Sequence, residues 1–201
     1  PLGKLILTAF IATVIFVVVT YLPIIKLIGM KISDYLKGAF EPWLIAFTTC
    51  SSAAALAVNL EASRKMGASK AIASFAIPLG NTINMNGTSI YMGVTAVFAA
   101  EVFGIDLTLT QQFQIVLMGV LAAVGTAGVP GAGLIMTTLV FTEVGIPLEA
   151  VALIAGIDRI LDMIRTSVNV LGDSLTALVV SKSEGVLGTE PMDQDTVVKE
   201  V

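Results

Sequence analysis

The sequence predicts an all-α, multi-pass membrane protein organised as an inverted repeat, each half a re-entrant hairpin followed by a broken or polar-striped helix. Three observations predict it. The 201 residues are 56% hydrophobic and only 13% charged, with mean hydropathy +0.93, whereas a soluble domain averages about 25% charged. The long apolar stretches are interrupted at mid-length by short clusters of polar residues and glycine. The last stretch carries Asp158, Asp162, Arg165, Thr166, Asn169 and Asp173, which at helical spacing fall within roughly one 100° stripe.

Each element follows from its local pattern. Residues 5–28 are nearly all apolar and suffice for one transmembrane helix of about 20 residues. Lys31 to Lys37 reads as a polar loop. Residues 38–64 are apolar but broken at Thr48-Thr49-Cys50-Ser51-Ser52, and 71–104 form a helix broken at Asn84-Met85-Asn86-Gly87-Thr88. Residues 108–143 are broken by Gly125-Thr126-Ala127-Gly128-Val129-Pro130-Gly131-Ala132-Gly133, where glycine and proline exclude regular helix. Residues 147–182 form the striped helix. Residues 183–201 lose the apolar pattern and read as a disordered acidic tail.

The charge pattern predicts orientation. Lys26, Lys31, Lys37, Arg64, Lys65, Lys70 and Lys182 flank one set of loops, while Glu101, Asp106, Glu143 and Glu149 flank the other. By the positive-inside rule the first set and the C-terminus are cytoplasmic. The segments 38–64 and 108–143 then leave and re-enter on one side, each too short for two spans of about 20 residues. They are expected to be re-entrant hairpins with tips at Ser51-Ser52 and Gly128-Val129-Pro130, one entering from each side. Inverted repeats with discontinuous helices place a substrate near the bilayer midplane.

Ionisable groups at membrane depth persist where they face protein or water, and they mark a solute or ion path. The bland reading is that Asp162 and Arg165, at i and i+3, merely pair with each other. That leaves Asn169 and Asp173 on the same stripe unexplained. A guanidinium suits a carboxylate and an aspartate suits an ammonium, so together they describe an acidic amino acid. Asp158 and Arg159 pose the same choice one turn earlier, between a structural pair and part of the site. The unwound segment at Asn84 to Thr88 frees carbonyls that suit a hard cation such as Na⁺, or it is a kink held by interhelical hydrogen bonds. The glycine-rich tip offers amide N–H groups suited to an anion, or it is a flexible loop. Cys50 reads as a small packing residue. With no histidine and one cysteine, a Ser-His or Cys-His enzyme and a His/Cys metal site are excluded, as is an intrachain disulfide. The small net charge of -4 gives no sign of nucleic-acid binding, and the chain is not expected to be an enzyme. A structural bundle or an anion channel is the competing class.

The ordered set Ser51-Ser52-Ala53, Pro78-Leu79-Gly80, Asn84-Met85-Asn86-Gly87-Thr88, the Gly125 to Gly133 run and the Asp162 to Asp173 run resembles the dicarboxylate/amino acid:cation symporters, the glutamate transporter family, over about residues 4–182. The resemblance implies a glutamate-transporter fold, of which this chain is the C-terminal transport-domain portion. The scaffold that forms a homotrimer lies outside it. It also implies a secondary active symporter in the cell membrane, in contact with lipid, that moves aspartate or glutamate with Na⁺ by an elevator mechanism. Arg165 is implied to bind the side-chain carboxylate and Asp162 the amino group. Thr88, Thr166 and Asn169 complete the pocket, and Ser52 with the backbone near Val129 and Gly133 holds the α-carboxylate. Asp173, with carbonyls of Gly80, Asn84 and Asn169, is implied to ligate one Na⁺. Carbonyls near Thr82, Met85 and Thr126 ligate another. Proton coupling or C4-dicarboxylate transport is the alternative within the family. The sequence departs from the family pattern at Asn86, where an aspartate is usual and which bears on a third cation site. Cys50 stands where some members have arginine, and Ala57 where proline is common.

Overall fold

The computed structural model describes residues 2–190, which are entirely helical and connecting segments with no strand. In chain order they are α1 (Leu2–Phe16), a π-helical turn (Val17–Tyr21), α2 (Leu22–Leu27), α3 (Ile32–Gly38), α4 (Phe40–Thr49), α5 (Ser52–Lys65), α6 (Lys70–Ile83), α7 (Asn86–Val102), α8 (Leu109–Val124), α9 (Ala132–Val144), α10 (Glu149–Ala155) and α11 (Asp158–Ser183). Leu2–Leu27 runs on as one helical stretch of 26 residues with hydropathy 2.6, and it is the one helix long and apolar enough to cross a membrane among the described residues.

The breaks have local causes. Cys50 adopts a left-handed conformation (φ 56°) that ends α4, and the Ser51 hydroxyl caps α5 by accepting from the Ala54 N–H at 3.1 Å. Asn84 and Met85 leave helical geometry between α6 and α7. Gly131 (φ 77°) opens α9 after the turn that ends α8. Helices α4 and α5 pair side by side, as do α8 and α9. With 10, 14, 16 and 13 residues these four helices are about 15, 21, 24 and 20 Å long, each short of a bilayer core of about 30 Å.

Helix α11 is the axis of the molecule. It packs against α4, α5, α6 and α7 and is buried nearly all round from Leu161 to Leu178. The burial pattern inverts that of a water-soluble protein. Asp158, Asp162, Arg165, Asn169 and Asp173 are inside, while Leu7, Phe10, Val19, Leu109, Phe113 and Ile135 are among the large apolar side chains outside. An apolar exterior over a polar interior fits lipid as the surrounding solvent.

Three sequence expectations are corrected. The 31–37 segment is helix α3 rather than a loop, because Tyr35 is pulled inside and donates to the Leu171 carbonyl at 2.6 Å. The striped helix does not run unbroken from 147, since α10 ends at Ala155 and α11 starts at Asp158. Residues 184–190 of the expected disordered tail form turns on the body. Leu187 joins an apolar cluster, the Gly188 N–H donates to the Gly67 carbonyl at 2.8 Å, and the Lys70 N–H donates to Glu190 Oε2 at 2.6 Å. Residues 191–201 of that tail lie outside the described residues.

Close helix approach depends on particular glycines. A Cβ on Gly87 would overlap the Arg165 carbonyl and lie 2.8 Å from its Cα. Gly87→Ala is expected to lower stability by about 1–3 kcal/mol through overpacking, read as a reduced melting temperature in detergent. An unchanged melting temperature counts against the α7–α11 contact.

Candidate functional site

Along α11, Asp158, Asp162, Arg165, Thr166 and Asn169 recur at spacings that keep them on one face. Arg165 Nε donates to Asp162 Oδ1 at 3.0 Å, and the Thr166 hydroxyl donates to the same oxygen at 2.7 Å. Arg165 Nη1 lies 3.7 Å from Asp158 Oδ1, which also accepts from the Tyr91 hydroxyl at 2.9 Å. The guanidinium carbon stands 4.4 Å from the centroid of the Tyr91 ring, a cation–π distance. One guanidinium is thus held by two carboxylates and an aromatic face, with Arg165 4% exposed and Asp162 2%. Arg165 Nη1 is nonetheless buried without a hydrogen bond. A Cβ on Gly133 would overlap this guanidinium, so the lack of a side chain there leaves the arginine its place. An unsatisfied charged donor in a low-dielectric interior is suited to a carboxylate.

Both tips close over this group. The Gly131 N–H donates to Asp162 Oδ2 at 2.8 Å. The Gly128 carbonyl accepts from the Ala53 N–H at 3.1 Å and from the Ser51 hydroxyl at 2.9 Å, joining the α8–α9 turn to the α4–α5 turn. Ser52, Thr88, Val129, Gly133, Asp162, Arg165, Thr166 and Asn169 all line the pocket beneath, with Cys50, Met85, Thr126, Ala127 and Gly128 completing it. Its free volume is about 10 Å³, room for about one water. A larger ligand requires the tips to part.

The broken helix connects this pocket to a second cluster. Asn169 Oδ1 accepts from the Gly87 N–H at 2.7 Å, and Asn169 Nδ2 donates to the Thr88 hydroxyl at 3.1 Å. One turn beyond, Asp173 is 2% exposed and Asn84 Nδ2 donates to its Oδ1 at 3.0 Å. Among the described residues no lysine or arginine pairs with Asp173. Gly80 presses on it, a Cβ there falling 2.5 Å from Asp173 Oδ1. Asn86 Nδ2 donates to Asn84 Oδ1 at 2.7 Å and to the Tyr21 hydroxyl oxygen at 3.1 Å. Gly80, Asn84, Asn86, Asn169 and Asp173 therefore belong to one connected region. Met85 and Thr126 sit at the pocket instead, while the exposed Thr82 turns its hydroxyl onto the Leu79 carbonyl. Among the described residues no three His, Cys, Asp or Glu side chains converge as metal ligands.

Sequence reasoning missed Tyr91, although its place three residues after Thr88 puts it on the same α7 face. The Asp158–Arg159 alternative resolves into two separate contacts. Asp158 turns to Tyr91 and Arg165, while Arg159 Nη2 donates to the Thr48 carbonyl at 3.0 Å, near the C-terminus of α4. Cys50 proves to line the pocket.

A family model described as the sodium:dicarboxylate symporter family matches residues 1–183. The chain belongs to that family. It is 40% identical over 190 residues to the proton/sodium-glutamate symport protein of Geobacillus stearothermophilus, covering 94% of this chain and 45% of that protein. It is 37% identical over 184 residues to the proton/glutamate-aspartate symporter of Escherichia coli K12, covering 92% and 42%. It is 38% identical over 186 residues to the C4-dicarboxylate transport protein of Bacillus subtilis 168, covering 92% and 44%. The chain spans less than half the length of these relatives. The family is one of membrane transporters and not of enzymes.

If Tyr91 holds Asp158 and the guanidinium in register, Tyr91→Phe removes one hydrogen bond to a carboxylate while keeping the ring. A bond of that kind contributes about 1.5–3 kcal/mol. The variant should weaken acidic-ligand binding by about tenfold, as measured by titration calorimetry. Full-strength binding would show that the ring alone positions Arg165.

Proposed function

We propose that this chain is the transport-domain portion of a secondary active symporter that carries aspartate or glutamate across the cell membrane, driven by a Na⁺ gradient. The observation that carries this reading is Arg165. It is buried between Asp158 and Asp162, stacked on Tyr91, and keeps an unpaired Nη1 in a pocket roofed by two helix-pair tips. An acidic amino acid brings a side-chain carboxylate for Arg165, an ammonium for Asp162 beside Thr166 and Asn169, and an α-carboxylate for Ser52 and the amides between Val129 and Gly133. Thr88 borders the same space. The ligand enters where the Gly131–Asp162 and Gly128–Ser51 bonds part, and it replaces the Arg165–Asp162 contact with its own charges. We read the α8–α9 tip as the gate, because glycine supplies the backbone freedom for such a movement.

The coupling cation is cargo rather than a resident group. A carboxylate as buried as Asp173, with one amide partner, needs a positive charge from elsewhere to be stable in its ionised form. With Asn84 and the carbonyls of Gly80 and Asn169 it forms an oxygen-only donor set suited to a hard cation. Thr82, Met85 and Thr126 carbonyls serve a second ion. The names of relatives include proton-coupled symporters, and a proton neutralises Asp173 as well as Na⁺ does, so proton coupling is the second reading. C4-dicarboxylates lack the ammonium that Asp162 would meet. The short α4–α5 and α8–α9 pairs, joined tip to tip, support re-entrant hairpins that enter from opposite sides. The basic ends of α2, α5, α6 and α11 support a cytoplasmic C-terminus. Trimerisation through a scaffold and elevator movement of this portion complete the proposal.

The deciding experiment is uptake of radiolabelled L-aspartate and L-glutamate by the full-length protein in proteoliposomes under Na⁺, Li⁺ or H⁺ gradients. Uptake driven by none of them overturns the symport reading. Arg165→Cys should lose acidic substrate by about 30-fold or more, since a buried charged partner contributes about 2–5 kcal/mol, and should favour neutral amino acids such as serine. Unchanged aspartate affinity would remove Arg165 from the carboxylate role.

Asn86 fills two oxygens, Asn84 Oδ1 and Tyr21 Oη, with its own N–H donors. Asn86→Asp turns that donor into an acceptor and gathers oxygens that call for a cation. It should steepen the Na⁺ dependence of aspartate binding, and Asp173→Asn should impair that dependence in either background. Superimposable Na⁺ curves for wild type and Asn86→Asp would dismiss a coupling role for position 86.

A further inference from the structure

We propose that Asn81 sets the opening equilibrium of the α8–α9 tip by presenting, beside Ser52, polar atoms that the closed tip dries without satisfying. The inference rests on the reading of that tip as the gate. Gly128 is the point where the tip lands. On one side its carbonyl is well used, accepting from the Ala53 N–H and the Ser51 hydroxyl. On the other side a Cβ built on Gly128 would overlap Ser52 Oγ and lie 3.0 Å from Asn81 Oδ1 and 3.2 Å from Asn81 Nδ2. Gly128 does not have a positive φ, so the lack of a side chain here serves space and not backbone conformation. The Cα of Gly128 therefore rests directly on an amide and a hydroxyl.

An oxygen of each group lacks a partner. Ser52 Oγ and Asn81 Oδ1 are both buried with no hydrogen-bond partner, although Asn81 as a residue is only half-buried. A buried polar atom that loses water and gains nothing opposes the state that buries it. Lifting the tip returns water to both atoms. Closing it removes that water again, and the Gly128 Cα offers no hydrogen bond in exchange. The tip–tip bonds thus work against a built-in opposing term at Asn81 and Ser52, and the ligand-free gate is kept from locking shut. Closure becomes favourable when a ligand beneath the tip adds contacts of its own. Asn81 touches neither Arg165 nor Asp162 in this account; it is a positioning residue that acts through the tip.

This portion of the protein carries its own reporter. Cys50 is the one cysteine in the sequence, is fully buried and lines the pocket under the tip. Its reaction with N-ethylmaleimide measures how often the tip is lifted. The experiment follows the labelling rate of Cys50 in the full-length protein in membranes, with any cysteine outside these 201 residues replaced by serine, without ligand, for wild type, Asn81→Leu, Asn81→Ala and Asn81→Asp. Leucine keeps the shape and removes the polar atoms, alanine removes them with less bulk, and aspartate replaces the amide with a charge that is harder to dehydrate. The expected order of rates is aspartate, then wild type, then alanine and leucine, with about fivefold between wild type and leucine. If leucine prevents folding, the order of the other three decides. Equal rates, or faster labelling in Asn81→Leu, overturn the proposal and make Asn81 a group that holds the tip down. A second arm adds L-aspartate with Na⁺ to wild type alone. Failure to slow labelling there counts against the gate reading, whereas the order among variants judges Asn81 by itself.

Discussion

The structure depends on the burial of one guanidinium. Arg165 sits where an unpaired charge would destabilise the fold by several kcal/mol, and its surroundings exist to hold it. Asp162 takes Nε, Asp158 approaches Nη1, and Tyr91 stacks beneath. Each of these in turn requires a neighbour. Tyr91 must come from α7, so α7 must lie close to α11, so Gly87 must lack a side chain against the Arg165 backbone. Gly133 must be bare for the same reason on the opposite side. The arrangement satisfies most of the charge but leaves Nη1 without a hydrogen bond, and that remainder is where the chemistry of a carboxylate ligand enters.

The same helix links the two polar regions. Asn169 stands between Arg165 and Asp173 on α11 and holds the unwound segment through Gly87 and Thr88. Asn84, at the other end of that segment, holds Asp173. A shift of the segment therefore moves groups in both regions at once. Coupling between two ligands requires a shared element with more than one arrangement, and its free energy is reciprocal. A short non-helical stretch pinned by side-chain hydrogen bonds, rather than by backbone ladders, is physically suited to be that element. The π turn at Val17–Tyr21 meets it as well, because the Tyr21 hydroxyl accepts from Asn86 and donates to the Val168 carbonyl.

The α8–α9 tip balances a different set of terms. It is drawn down by bonds from Ala53, Ser51 and its own Gly131 N–H to Asp162, and it is opposed by the dry oxygens of Ser52 and Asn81. Opposed terms make a segment movable without making it disordered.

What the sequence determined by itself was local. Composition, the apolar stretches and the polar interruptions are written in neighbouring residues, so the all-helical class, the breaks near Cys50, Asn84 and Gly125 to Gly133, and the stripe on α11 were legible. Glycine, left-handed turns and helical periodicity act within a few residues, which is why they can be read without a fold. The tertiary structure alone decided which distant groups meet. Asp158 chose Tyr91 and Arg165 over its neighbour Arg159, and Arg159 found the end of α4. Tyr35 drew a supposed loop into a helix by reaching α11, and residues 184–190 turned back onto Gly67 and Lys70. Asn81 and Ser52, unremarkable as single residues, became a pair only because Gly128 lands between them. These outcomes depend on how helices far apart in sequence pack around the buried charge. No pattern of period 3.6 encodes that distance.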